Sequence, residues 1–567
     1  MVQKRYILDM IRKNPLFLAL GLNILFLLLY IAFGQVRHGS LDDYFMSSVL
    51  TGAYGGEYDV HMYFVNSAYG YFLRTFYWLF PKVGWYFLFE LAGTFVAFTS
   101  LSFFLLKKLD DKWGIALSAL FLAALTPDFY FQLSFTQCAT VYTAAGIVSF
   151  SLGVSDCKKR YLAVGGLFLL AGSIMRFEGM LLGIPFFALL LTSLFHGKKR
   201  IPLEALVALG VTFALIWGVK QYDRSLYSTG EYKYYADYQP IRAFFGDGAF
   251  YDKESTFDEL EERGMSGYDF YDLKTWVFYD TEVFQIDSLI PIKNIAQNNL
   301  YKPNYKRMVV SFFLSISNAF TRCNGWCWAI ICVLLISTSS KKANLYPWIS
   351  MGIIAICIGY LLLVNRLVYH VESGVWLYAI ASSIPFLSKE IFYPYTQLLK
   401  NVKISVLLVV FLTGIFVFVG ISGQDYLKKR WLLIETPELP HEWRDFLDYT
   451  QKHNDDVFLL SFNRYKLLGS FKNPAYKAVE PSSWSNIFSW GYWNIYLPGM
   501  QKELRKRGVN NPIRDVIRDN VYVVEDKGDE FLGTFYPFHY AESLYVDTVQ
   551  TFGGIHLLKY KVKGGAI

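Results

Sequence analysis

Charge is scarce in this chain. Only 18% of its 567 residues are Asp, Glu, Lys or Arg, where a soluble globular chain carries about a quarter. Hydrophobic residues make up 54% and aromatic residues 19%. Together with long apolar runs, that balance excludes a string of soluble domains and points to a polytopic membrane protein. Cysteine is scarce too. Cys138, Cys157, Cys323, Cys327, Cys332 and Cys357 all lie in or beside apolar segments, so no disulfide framework is expected in the large polar regions. Cys323 and Cys327 stand one helical turn apart, without the further neighbouring ligands a metal site needs. There is no long basic stretch and no zinc-finger spacing, which leaves no case for nucleic acid as a partner. No small-x-small site follows the apolar run Pro15 to Phe33, so that run reads as a first transmembrane helix, not a cleaved signal.

Apolar stretches of span length, or nearly so, fall at 15–33, 84–106, 113–127, 130–154, 161–175, 179–195, 202–219, 322–338, 345–364, 373–388 and 402–421. They predict about eleven transmembrane helices. The apolar segment 308–320 could lie along the interface or extend the span after it. Basic clusters then set the orientation: Lys4, Arg5, Arg12 and Lys13; Lys107, Lys108 and Lys112; Lys158, Lys159 and Arg160; Lys198, Lys199 and Arg200; Lys341 and Lys342; Lys389, Lys400 and Lys403. All fall on one side, which the positive-inside rule makes cytoplasmic. The N-terminus is then cytoplasmic and the long loops 34–83 and 220–307 lie outside. The expected organisation is a transmembrane domain over 1–421 and a small extracytoplasmic α+β domain over 422–567.

In the tail, 455–462 and 521–525 read as strands, and 543–552 with 555–562 as a hairpin across Gly553-Gly554. Residues 441–452 and 512–518 read as helices. In the first loop, 60–80 reads as an aromatic interfacial helix. The second loop reads as short helices broken at Gly264 and Gly267, too aromatic for disorder.

Ionisable residues near the outer boundary are the candidate functional groups. Asp42 and Asp43 follow the first span, with Glu57, Asp59 and His61 downstream. One of the pair could be a general base whose pKa is raised by its neighbour; the competing reading is an ordinary solvated loop. Arg176 and Glu178 sit between two apolar runs, and either tie helix ends together or face an anionic ligand. Arg366, with His370 and Glu372, occupies a short outer gap. An arginine there suits phosphate oxygens, because its planar fork donates two parallel hydrogen bonds. Lys302, Lys306 and Arg307 are basic on the outer side. They could meet membrane lipid headgroups or a pyrophosphate.

SLDDYFM, the aromatic stretch after it, SIMRFEG and NRLVYHVESG resemble membrane-integrated glycosyltransferases of the GT-C class. The segment RAFFGD…GMSGYDFYDLKTWVFYDTEVF is similar to one found in a largely uncharacterised bacterial group of such proteins. The resemblance covers most of the membrane part. It implies a plasma-membrane enzyme of the bacterial cell envelope, taking a sugar from a polyprenyl-phosphate carrier. The acceptor would be a cell-surface glycan, glycolipid or protein, as in polysaccharide biosynthesis. Asp42 or Asp43 would be the base, or would orient the acceptor, while Arg366 and Arg176 would hold the carrier phosphate. The chain lacks WWDYG; its nearest segment, Ser489 to Trp493, has no acid, which speaks against asparagine-linked transfer. The chemistry needs no redox cofactor, although acids this dense could hold a divalent metal. Two rivals remain open. One is a polymerase or ligase using diphosphate-linked oligosaccharides. The other is a transporter or flippase, for which internal repeats would speak.

Overall fold

The computed structural model describes residues 14–34, 36–109, 111–195, 202–247, 257–298, 304–338, 340–392, 410–421, 439–472, 475–525 and 530–563. The basic clusters at 4–13, 198–200 and 400–403, Lys302, and the first part of the span expected at 402–421 lie outside these residues.

Seven described helices are long and apolar enough to cross a membrane: Pro15–Phe33, Trp85–Leu109, Trp113–Tyr130, Phe135–Ser155, Phe177–Phe195, Leu203–Leu226 and Lys341–Leu363. A pair, Tyr305–Thr321 and Asn324–Ile336, passes the same test together but bends by 83°. It therefore does not extend the later helix in a straight line. The bend sits at Cys323, whose φ of 69° is left-handed. The expected spans at 161–175 and 373–388 are helices Lys159–Met175 of 17 residues and Tyr369–Ala381 of 13. A crossing takes about 20 residues, within a range of about 17–25; among the described residues, seven helices pass by length and composition, or eight if the bent pair is one span.

The burial of these helices separates centre from periphery. Phe135–Ser155 is 94% buried and Leu203–Leu226 only 17%. The central helix packs on Lys159–Met175 through small residues. A Cβ on Gly165 would come within 2.6 Å of the Phe150 nitrogen, and one on Gly172 within 2.3 Å of Thr143 Oγ1. Without a hydrophobic force between helices in lipid, such close approach is what holds them.

At the site end, β1 (Arg37–His38) pairs in parallel with β2 (Gln132–Leu133). Gly39 follows, so close to the Gln132 carbonyl that a Cβ would lie 2.2 Å from its oxygen. Next Ser40 caps helix Leu41–Leu50, its hydroxyl accepting from the Asp42 N–H. Ser134 caps Phe135–Ser155 in the same way, from the Gln137 N–H. Two helix N-termini thus face each other beside a short parallel ladder. Asp42 and Asp43 occupy the first turn of one of them, where the helix dipole favours negative charge.

The tail holds a five-stranded sheet. β3 (Val457–Leu460), β4 (Ile487–Ser489), β5 (Val521–Glu525), β6 (Leu544–Phe552) and β7 (Ile555–Val562) lie in the order β4-β3-β5-β7-β6. The first three are parallel, while β5–β7 and β7–β6 are antiparallel. Gly553, with φ +59°, turns the hairpin. Helices His441–Lys452 and Phe462–Phe471 pack on the sheet, while Pro498–Lys506 packs on Gly230–Asp247 of the second loop. In the second loop, Phe257–Glu261 and Gly267–Lys274 are separated by Gly264 at φ +73°, whereas Gly267 opens the second helix behind a Ser266–Asp269 capping box.

The tail does not stand apart from the loops. The Phe278 N–H donates to the Trp490 carbonyl at 3.0 Å, and Gln239 Nε2 to that of Trp493 at 2.8 Å. Phe45 stacks on Tyr465 at 4.8 Å, and Trp484 Nε1 donates to the Tyr44 hydroxyl. One hydrophobic core runs from the helices through both loops into the sheet.

Candidate functional site

The capped turn of Leu41–Leu50 forms one wall of a cavity of about 140 Å³. Asp42 and Ser40 line it from the first loop, Gln137 from the central helix, Tyr369 and His370 from the first turn of Tyr369–Ala381, and Lys466 and Tyr492 from the tail. Asp42 is half-buried and accepts from the Tyr492 hydroxyl at 2.5 Å. Lys466 is half-buried, packs over the Phe462 ring, and has no carboxylate partner among the described residues.

Asp43 points the other way. It is fully buried, and its Oδ1 accepts from the Tyr86 hydroxyl and the Phe135 N–H, both at 3.0 Å. Burial, helped by the Asp42 charge and opposed by those two hydrogen bonds, pushes its carboxyl up to about 8. Behind it lie Glu90 and His38, both buried. Burial lowers the His38 imidazole to about 3, so it is neutral.

Arg176 stands where the chain breaks between two helices. Its guanidinium lies 5.1 Å from the Phe135 ring centre and donates to Thr136 Oγ1. It turns to Thr136 and not to Glu178, which is exposed, so the pair does not tie the helix ends together. Asp42, Asp43 and Arg366 are all within its electrostatic reach, and so is His370. Arg366 itself is half-exposed and pairs with Asp247 of the second loop at 3.3 Å.

The remaining candidates lie elsewhere. His61 stacks on Tyr232 at 3.6 Å and contacts Asp59 at 2.6 Å. With Glu57 and Asp59 it lines a separate cavity of about 820 Å³, closed by the ion pairs Lys502–Glu57 and Arg505–Glu231. Lys306 and Arg307 are exposed in the first turn of Tyr305–Thr321 and line neither cavity. The acids of the first loop are divided: Asp42 lines one cavity, Glu57 and Asp59 the other, and Asp43 is buried beside His38 and Glu90.

Several residues at or behind the cavity did not stand out in the sequence. Lys466 and Tyr492 arrive from more than 400 positions downstream of Asp42, and only folding places them. Asp128, buried at the end of Trp113–Tyr130, accepts from Tyr369 and Asn324 at 2.5 and 2.7 Å. Beside it, Arg322 pairs with Glu372 at 2.9 Å. Glu90 and Asp128 carried a usable signal, since each is an acid inside an apolar run.

No family model matches the chain, and no curated protein does. Among solved structures, the chain is similar to ArnT from Cupriavidus metallidurans bound to undecaprenyl phosphate. The identity is 10%, over 96% of this chain and 98% of that one, with a TM-score of 0.35. The apo state of the same ArnT gives 12% identity over 95% and 97%, at a TM-score of 0.34. At those scores the likeness does not establish a shared fold.

Proposed function

We propose that this protein is a membrane glycosyltransferase of the GT-C type. It would move a sugar from a polyprenyl-phosphate carrier to a hydroxyl of a glycan, glycolipid or protein acceptor on the outer face of the membrane. The observation that carries this reading is the cavity, where the Asp42 carboxylate and the Lys466 ammonium share one lining and the Arg176 guanidinium is within electrostatic reach of Asp42. Asp42 removes the acceptor proton. The acceptor oxygen then attacks the anomeric carbon, and the bond from that carbon to the phosphate oxygen breaks. Lys466 and Arg176 neutralise the phosphate that leaves. Tyr492 holds the Asp42 carboxylate in place.

The outer location rests on helix polarity. Lys107 and Lys108 end Trp85–Leu109, whereas Tyr86 and Glu90 of the same helix approach the site. Lys159 and Arg160 open Lys159–Met175, whereas Arg176 follows its end. Lys341 and Lys342 open Lys341–Leu363, and Arg366 follows it. In each case the basic cluster and the site occupy opposite ends, which by the positive-inside rule supports an outer site.

The test is a transfer assay in membranes with a panel of radiolabelled polyprenyl-phospho-sugars, comparing wild type with Asp42→Asn. A general base contributes about 10²–10⁴ in rate, so the variant should lose that much. Undiminished transfer by Asp42→Asn would remove it from the mechanism.

A further inference from the structure

Behind the cavity, three side chains from three elements meet: His38 of β1, Asp43 of Leu41–Leu50 and Glu90 of Trp85–Leu109. One donor atom from each lies within 4.8 Å of the others. All three residues are buried, at 4%, 0% and 0% exposure. Asp43 Oδ2, both Glu90 carboxylate oxygens and His38 Nδ1 have no hydrogen-bond partner. Two buried carboxylates this close are strongly unfavourable unless a shared proton or a cation lies between them. No Lys or Arg lies within 4 Å of either acid among the described residues; the single near contact is His38 Nδ1 to Glu90 Oε2 at 3.7 Å.

We propose that His38, Asp43 and Glu90 form a binding site for one divalent transition-metal ion. Three features fit an ion at this place. First, the charge balances: two carboxylates and a neutral imidazole neutralise a divalent cation. Second, the Asp43 carboxylate is divided between two tasks. Its Oδ1 is held by Tyr86 and the Phe135 N–H, while its Oδ2 is left facing the cluster. A ligating carboxylate fixed through its other oxygen is the usual outer-shell arrangement. Third, the Glu90 backbone is pinned, since Tyr142 donates to its carbonyl at 3.3 Å and Cys138 at 3.8 Å.

The donor set also selects the metal. One imidazole nitrogen with carboxylate oxygens suits zinc or manganese. Calcium and magnesium take oxygen-rich shells and keep several waters, which a wholly buried pocket with a histidine does not supply. The ion would join β1, Leu41–Leu50 and Trp85–Leu109 at the point where Asp42 turns into the cavity. It would thereby act as a positioning centre for Asp42.

The test uses the full-length protein in detergent and does not depend on a transfer assay. Elemental analysis should find stoichiometric zinc or manganese in wild type and in Asp42→Asn. The content should be lost in Glu90→Gln and His38→Gln; the latter keeps both carboxylates and supplies the readout should the former not fold. A chelator should lower the wild-type Tm, and Zn²⁺ or Mn²⁺ should restore it, while His38→Gln should respond to neither. Wild type that stays metal-free after incubation with Zn²⁺ and Mn²⁺, with an unchanged Tm, would overturn the site. So would metal content undiminished in both variants. Failure of Asp42→Asn to impair transfer would count against the proposed reaction and leave this site standing.

Discussion

At the residue scale, two adjacent aspartates have opposite surroundings. Successive positions on a helix lie about 100° apart, so Asp42 can face the cavity while Asp43 faces the protein. Their partners follow from that rotation: Tyr492 for one, Tyr86 and Phe135 for the other. Tyr492→Phe removes the one hydrogen-bond donor to the Asp42 side chain among the described residues while leaving the packing. A hydrogen bond to a charged group contributes about 1.5–3 kcal/mol, so transfer should fall by about ten-fold or more with Tm little changed. Lys466→Met should lower transfer by about 10²–10³, the usual effect of losing a donor to developing negative charge. Both are read from initial rates beside wild type.

A second lysine of the tail gives a pH prediction. Lys472 lies over the Trp484 ring at 4.5 Å and donates to the Ser483 carbonyl at 3.0 Å. Burial lowers its amine to about 8 from 10.5, with Glu480 opposing. The folded chain therefore releases this proton near pH 8, whereas the unfolded chain keeps it to about 10.5. Stability rises with pH across that window, and the penalty is fully present below it. Lys472→Met should raise the Tm at pH 7, by about 2–4 °C for each kcal/mol recovered, and should abolish the rise above pH 8. Thermal unfolding at several pH values checks both.

At the element scale, glycines permit two close approaches that bear on the bundle and the site. Gly165 lets Lys159–Met175 lie against the central helix, and a Cβ there would meet backbone as well as side chain of Phe150. Gly165→Val should destabilise the bundle by about 1–3 kcal/mol, visible as a lower Tm in detergent. Gly39 plays the same part at the site. A Cβ 2.2 Å from the Gln132 carbonyl oxygen forces the ladder apart, and Ser40 with it. Gly39→Ala should therefore reduce transfer more than it reduces stability, which a rate measurement alongside a melting curve would separate.

Some elements were legible in the sequence and others were not. The hairpin across Gly553-Gly554 and the helix His441–Lys452 could be read because turn residues and local periodicity encode them. Strand β4 escaped because a three-residue strand has too few positions to show alternation. Hydropathy alone cannot separate a buried apolar helix from one that crosses. Tyr369–Ala381 is buried at nearly every position, so protein accounts for its apolar character.

At the scale of the whole molecule, the tail completes the site. It supplies Lys466 and Tyr492 to the cavity and is bonded to the first loop through Trp484 and Tyr44. Trp484 is fully buried among Tyr44, Phe45 and Tyr465. Trp484→Ala should cost about 3–5 kcal/mol and should also increase hydrogen exchange in helix Leu41–Leu50, because the helix loses the surface it docks on. Full protection of that helix in the variant would show that the tail does not support it.

The sequence by itself determined the membrane character and the tail hairpin, because hydropathy and turn chemistry are local properties. It did not decide which aspartate faces the cavity, or that Lys466, Tyr492 and His370 meet Asp42. Those are contacts across up to 450 positions. Local sequence carries no sign of such contacts, and they exist only once helices, loops and sheet share one core.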